Sequence, residues 1–270
     1  MGRSVKPLKD PQKQFLQRFL ALHVITNDEA QSLWDEISQG TDDRRMLGRD
    51  LNHTLGVINR SLSDGFGLEV RTATLALDLG DSPSEEKLPS SGKRPTYTRY
   101  HAIVNRDEDD IAKRNANPAM SKGGGVHEMA LFRLILERLV ESSLTSSEGD
   151  NSASAARGIG CQASMSRMDM LNLRTDLTGH HSNKLGISQT EKSLSLLESE
   201  GWLAPARGLD NDDDSSTEER PRKKNKGNRN RYNEANYLQI GPRTYMELPE
   251  MLVSLGLDKD LLPQFILHGN

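Results

Sequence analysis

Histidine, cysteine and gathered acids are the side chains that do metal or nucleophilic chemistry, and this chain carries few of them in useful patterns. There are seven histidines and one cysteine in 270 residues. Zinc sites need Cys or His ligands at characteristic spacing. The only adjacent pair, His180-His181, points about 100° apart if helical and is not expected to converge on one ion. Cys161 has no evident basic neighbour to lower its pKa, so it is not read as a nucleophile. A single cysteine excludes an intrachain disulfide and suits a reducing compartment. Asn105 and the acids Asp107 to Asp110 read as a capped helix start whose carboxylates complement the dipole, rather than as a metal site. Ser121-Lys122-Gly123-Gly124-Gly125 has its lysine before the glycines, whereas a phosphate loop runs G-x-x-x-x-G-K and then Ser or Thr. Arg157-Gly158-Ile159-Gly160 follows no strand, as a dinucleotide loop must. No serine elbow or paired-carboxylate pattern is present. The sequence therefore offers no catalytic residue, no metal ligand set and no cofactor loop.

The remaining chemistry is phosphate contact. Residues 206–235 split into an acidic half (LDNDDDSSTEER) and a basic half (RPRKKNKGNRNR). Arg222, Lys223, Lys224, Lys226, Arg229 and Arg231 form the candidate DNA-contacting group, with Lys184 and Lys192 just before and within the helix that follows His181. Arg167 and Arg174 could join that surface. Each neutralised phosphate releases counterions, so such binding should depend on salt. The basic run contains no aromatic residue, so base stacking is not expected. Three other fates compete: a nuclear-import signal, a solvated loop, or neutralisation by the adjacent acids.

These cations must be positioned by a helix and a hairpin. Ile187, Thr190, Leu194 and Leu197 fall on one helical stripe, with Ser188 and Glu191 spaced as a capping box. Gly201 supplies a left-handed stop, Trp202-Leu203 begins a strand, and Tyr237 to Ile240 alternates as its return, ended by Gly241-Pro242. Met165, Met168, Leu171 and Leu173 open the preceding helices as core residues. Helix, helix and a hairpin with a long tip is a winged-helix order.

The first half repeats it. Phe15, Leu16, Phe19, Leu20 and Leu22 recur at helical spacing. Thr26 and Glu29 form a capping box ahead of Ala30, Leu33, Trp34 and Ile37. A third helix is expected from near Asp42, carrying Leu47, Leu51, Leu55, Ile58 and Leu62. Strands at Leu68 to Thr72 and Tyr100 to Asn105 follow, joined by a long polar loop. Val126 to Leu144 is an amphipathic helix, with Met129, Phe132, Leu136 and Leu139 on one face and Leu131 and Ile135 beside it. The Ser/Gly/Ala-rich stretch from Ser142 to Gly160 reads as a spacer.

The expected architecture is mainly α with small β hairpins, an α+β class built as tandem winged-helix domains. The first spans 11–118, a linker spans 119–125, the second spans 126–256 with its charged wing at 206–235, and a tail covers 257–270. A net charge of −4 and a hydrophobic fraction of 34% fit ordered modules separated by solvated segments, with no global basic field. No apolar run approaches the roughly 18 residues of a membrane span and no signal segment opens the chain, so a soluble intracellular protein is expected.

Several blocks, in order, resemble non-SMC element one, the RING-type subunit of the SMC five–six complex. They are Gln14 to Leu20, Tyr100 to Asn105, Glu128 to Ile135 (EMALFRLI), Met168 to Leu173, Leu196 to Leu203 with its Trp-Leu pair, and Tyr237 to Leu248 (YLQIGPRTYMEL). The resemblance covers nearly the whole chain. It implies a MAGE-type partner, which binds the kleisin subunit of the same complex, and a nuclear role in DNA repair by homologous recombination. It also implies ubiquitin-ligase activity from a zinc-binding RING-like module downstream. The sequence ends at Asn270 with no counterpart of those zinc ligands. A fragment, a truncated gene model and a form without the module all remain open, and the chain alone is expected to be inactive. The alternative is a non-catalytic nuclear DNA-binding winged-helix regulator. For that role the helix Ser188–Glu200 offers only Gln189 and Lys192 as base readers.

Overall fold

The computed structural model describes residues 7–39, 50–75, 97–105, 125–145, 163–206 and 237–268. Leu47, the acids at 107–110, the glycine stretch at 121–124, Arg157 to Cys161, and Arg222, Lys223, Lys224, Lys226, Arg229 and Arg231 lie outside these residues.

Helix α1 (Asp10–Leu22) puts Phe15 and Phe19 one turn apart, and both are fully buried. Phe15 meets Trp34 edge-on with ring centroids 5.9 Å apart. Trp34 belongs to α2 (Asn27–Gln39), which opens with the expected capping box. The Thr26 N–H donates to Glu29 Oε2 (2.8 Å), and the Glu29 N–H donates to Thr26 Oγ1 (3.2 Å). Helix α3 (Leu51–Phe66) closes the layer with Leu51, Leu55, Ile58 and Leu62 buried. Each such side chain contributes about 1.5–3 kcal/mol when fully buried.

A short strand, β1 (Val24–Thr26), precedes α2. It pairs with β3 (Thr98–Asn105), which pairs in turn with β2 (Leu68–Leu75); both pairings are antiparallel, with Thr26 opposite Tyr100 and Leu75 opposite Thr98. Strand side chains alternate between faces. Leu68, Val70 and Ile103 pack on the α1–α3 core. Ala73, Leu75, Tyr100, Ala102 and Val104 point the other way, into the core of the second unit. The hairpin is therefore covered on both faces, and the packing boundary runs through the sheet.

The second unit begins with α4 (Val126–Thr145), which buries Leu131, Phe132, Ile135, Leu136, Leu139 and Val140. Strand β4 (Ser164–Ser166) leads into α5 (Arg167–Asn172), where Ser166 Oγ caps by accepting from the Asp169 N–H (3.0 Å). Two 3-10 turns, Leu173–Thr175 and Gly179–His181, precede α6 (Ile187–Ser199). Strands β5 (Leu203–Ala206) and β6 (Tyr237–Ile240) complete a sheet ordered β4-β6-β5. Short helices α7 (Pro242–Glu247) and α8 (Pro249–Ser254) follow.

Several expectations are corrected. Helix α3 starts at Leu51 rather than near Asp42, because the Asp50 carboxylate caps it by accepting from the Asn52 N–H (3.0 Å). Helix α6 starts at Ile187 with Gly186 as its N-cap and no side-chain cap. Ser188 thus lies inside the first turn and forms no capping box with Glu191. The buried stripe of α6 is Thr190, Leu194 and Leu197, whereas Ile187 at the helix entry is 59% exposed. Met168, expected in the core, is 65% exposed on the two-turn helix α5, whose buried residue is Met170. The tail is structured. A 3-10 turn at Lys259–Leu261 leads to β7 (Phe265–Leu267), which pairs antiparallel with β2 and extends the first sheet to β1-β3-β2-β7.

Candidate docking and nucleic-acid surfaces

The second unit's side of the joint is built where two of its own segments, Gly201-Trp202 and Gly241-Pro242, pass each other, with Val24 of the first unit against Gly201. The Gly241 N–H and the Thr244 hydroxyl both donate to the Trp202 carbonyl (2.8 and 2.6 Å), and the Arg243 N–H donates to the Gly201 carbonyl (3.1 Å). Trp202 is fully buried, and its indole N–H donates to Glu200 Oε2 (3.1 Å). The Arg243 guanidinium lies 4.2 Å from the Trp202 ring centroid and bonds Glu247 Oε1 at 2.7 Å. Burial pushes the Glu247 carboxyl above its ordinary value, and the adjacent Arg243 charge opposes that shift.

Arg71 reaches into this joint from β2. Its Nη1 donates to the Met246 carbonyl (2.6 Å), its Nε pairs with Glu69 (2.6 Å), and its guanidinium sits 5.2 Å from the Phe265 ring centroid. On the opposite face of β2, the Thr72 hydroxyl lies between two imidazoles, 2.7 Å from His101 Nδ1 and against Nε2 of His268. One hydroxyl can donate to one ring and accept from the other. His101 is fully buried, which lowers its pKa to about 4, helped by His268 and Arg99. Sequence reasoning named none of these as functional groups. Arg243 was visible within the Gly-Pro-Arg block, and Arg71 as a cation at a position whose strand neighbours Ala73 and Leu75 are apolar.

The candidate cations divide. Lys184 and Lys192 are exposed. Arg167 is engaged with Glu198 (2.8 Å) and Ser195 (2.6 Å), and Arg174 donates to the Leu171 carbonyl (3.1 Å). Gln189, a potential base reader, bonds Glu128. The outer face of α6 thus presents Glu191 beside Lys192 and a neutralised Arg167, a weak field for phosphate. The six residues of the basic run are outside the described residues.

The histidine pair lies in a short turn rather than on a regular helix. His180 and His181 lie in a 3-10 turn with ring centroids 3.8 Å apart, and His127 Nδ1 stands 3.0 Å from His181 Nδ1. Desolvation and the two neighbouring imidazoles hold His181 below its ordinary value. Among the described residues, no group of three or more His, Cys, Asp or Glu could hold a metal ion. With one cysteine in the sequence, the donor set does not fit the zinc of a RING-like module. No described helix is long and apolar enough to cross a membrane.

The fold and joint define an α+β chain of two helix-and-hairpin units sharing a sheet. Residues 12–208 match the family model described as Nse1 non-SMC component of SMC5-6 complex. That match spans more than half of the chain, and the chain belongs to this family as a subunit of the SMC5-6 complex. A solved chain of an Nse1-Nse3-Nse4 complex is similar, with a TM-score of 0.52 at 17% identity, covering 90% of this chain and 73% of that chain. At that identity the likeness establishes the fold. No curated protein matches the sequence.

Proposed function

We propose that the chain is a docking subunit whose two units are winged-helix domains that hold a MAGE-type subunit, which in turn engages the kleisin of the same complex. The process served is DNA repair by homologous recombination in the nucleus. The observation that carries this reading is the likeness to a chain solved within an Nse1-Nse3-Nse4 complex, together with the family match. The physical chemistry agrees with it. Both faces of the described β2 and β3 strands are used internally, in packing rather than as an open surface. The described face of α6 carries little net positive charge, which suits protein docking better than groove reading.

Ubiquitin-ligase function enters this proposal only through a zinc-binding module of the kind the family resemblance implies, and the residues named here are proposed for docking. DNA contact by Arg222, Lys223, Lys224, Lys226, Arg229 and Arg231, with Lys184 and Lys192 beside them, is a further part of the proposal. Co-expression tests the docking claim. The chain is expected to co-purify stoichiometrically with its MAGE-type subunit and to melt at a higher temperature than alone. An unchanged melting temperature, with the two proteins eluting separately, would contradict it.

A further inference from the structure

The segment that follows α8 leaves one unit and finishes on the other. Leu257 is buried in the core of the second unit, and Leu261, Leu262 and Phe265 pack against that core. From Phe265 itself the chain is a strand of the first unit's sheet, with Phe265 opposite Ala73, Ile266 opposite Thr72 and Leu267 opposite Arg71. His268 then makes two bonds to the first unit. Its ring meets the Thr72 hydroxyl, and its carbonyl accepts from Asn59 Nδ2 of α3 (2.6 Å). The same Asn59 accepts the Val70 N–H through Oδ1 (2.8 Å), so strand β2, helix α3 and the last described residues share one side chain. Arg71 completes the crossing, bonding the Met246 carbonyl of α7 while lying over Phe265.

From this arrangement we infer that residues 262–268 are a clasp that fixes the two units relative to each other and sets where any chain continuing past Asn270 leaves the molecule. Without β7, the units touch through side-chain packing and the Arg71 bond to α7. With it, backbone pairing to β2 and the shared Asn59 lock a rigid angle. A module attached beyond Asn270 would depart from the β2 edge beside α3 of the first unit, although its chain has just passed through the second. This rests on the docking reading only for its consequence. A MAGE-type subunit that spans both units would meet them in one fixed geometry.

The test uses the full 270-residue chain with Cys161→Ser and spin labels at Asn52→Cys on α3 and Glu137→Cys on α4, both exposed positions. The parent is expected to give one narrow distance distribution, with slow amide exchange at Thr72, whose N–H shares the β7 side with that of Val70. Ile266→Pro removes a strand N–H at an exposed position, and is expected to broaden the distribution and speed exchange at Thr72 by at least tenfold. Trp34 and Trp202 fluorescence should keep its native character, reporting that both cores persist. Thr72→Val, which removes only the hydroxyl between the two histidines, is expected to speed exchange at 266–268 by a smaller factor. That second variant decides the matter if Ile266→Pro does not fold. An unchanged narrow distribution with unchanged exchange at Thr72 in a folded Ile266→Pro, or unchanged exchange at 266–268 in Thr72→Val, overturns the clasp. Retention of the MAGE-type subunit is scored separately, so loss of the clasp and loss of the docking reading remain distinguishable.

Discussion

Gly241 stands so close to Gly201 that a Cβ at position 241 would lie 2.3 Å from the Gly201 carbonyl oxygen and 2.7 Å from the Trp202 carbonyl carbon. These neighbours are backbone and cannot swing aside. Gly201 itself sits at φ +78°, against Val24 of the first unit. The Gly-Trp and Gly-Pro-Arg segments thus lock together within the second unit, on the side that meets the first.

Gly241→Ala is expected to destabilise the chain by about 1–3 kcal/mol, the usual cost of overpacking a tight site. Urea unfolding measures it. An unchanged midpoint would show that the strand and helix can separate freely at this point.

Arg243→Met removes the cation that pairs with both Glu247 (2.7 Å) and Glu200 (3.4 Å). Removing one partner of a buried pair costs roughly 3–5 kcal/mol, whereas replacing both members with neutral groups costs far less. The triple variant Arg243→Met, Glu200→Gln and Glu247→Gln, which neutralises the cation and both carboxylates it pairs with, is therefore expected to recover much of the lost stability in thermal or denaturant unfolding. A triple variant as unstable as the single one would mean that the stack on Trp202 outweighs the ion pairs.

His101 predicts how stability responds to acid. Its folded pKa of about 4 lies below the ordinary value of 6.5, so the unfolded chain binds the proton first. The stability is fully present above pH 6.5, falls as the pH drops from there, and is lost by about pH 4, on the order of 3 kcal/mol in all. His268 is lowered as well and acts in the same sense. His101→Phe, compared with the parent across pH 7.5 to 4.5, should flatten the slope. A slope identical in the two proteins would place the acid sensitivity elsewhere.

The basic run predicts a salt effect. If Arg222, Lys223, Lys224, Lys226, Arg229 and Arg231 contact duplex phosphates, log K against log salt steepens by about 0.9 for each phosphate neutralised. Serine at all six positions should flatten that plot, while Lys184→Ser with Lys192→Ser should change it less. Equal slopes for the parent and the sixfold variant would assign the run to another task.

The elements most legible in the sequence were those whose signal is local. Thr26 and Glu29 announce a helix by spacing alone, and the Phe15–Phe19 and Leu51–Leu62 stripes repeat often enough to be read. What escaped notice was decided by tertiary contact. Strand β1 and strand β7 are three residues each, too short to alternate, and exist because β3 and β2 offer them edges. Ile187 fits the stripe of α6 by periodicity, yet the core ends one turn later, at Thr190. Ser188 has the right neighbour three residues on, but the helix had already begun at Ile187. The roles of Arg71 and His268 depend on partners 175 and 196 residues away, which no window along the chain can contain.

The docking account is tested most directly by mixing the purified chain with its MAGE-type subunit and measuring mass by size-exclusion chromatography with light scattering at micromolar concentration. The account predicts a one-to-one complex that survives 0.5 M salt, as expected where apolar packing rather than surface charge holds partners together. Two separate monomer peaks, from proteins that are each folded, would contradict it.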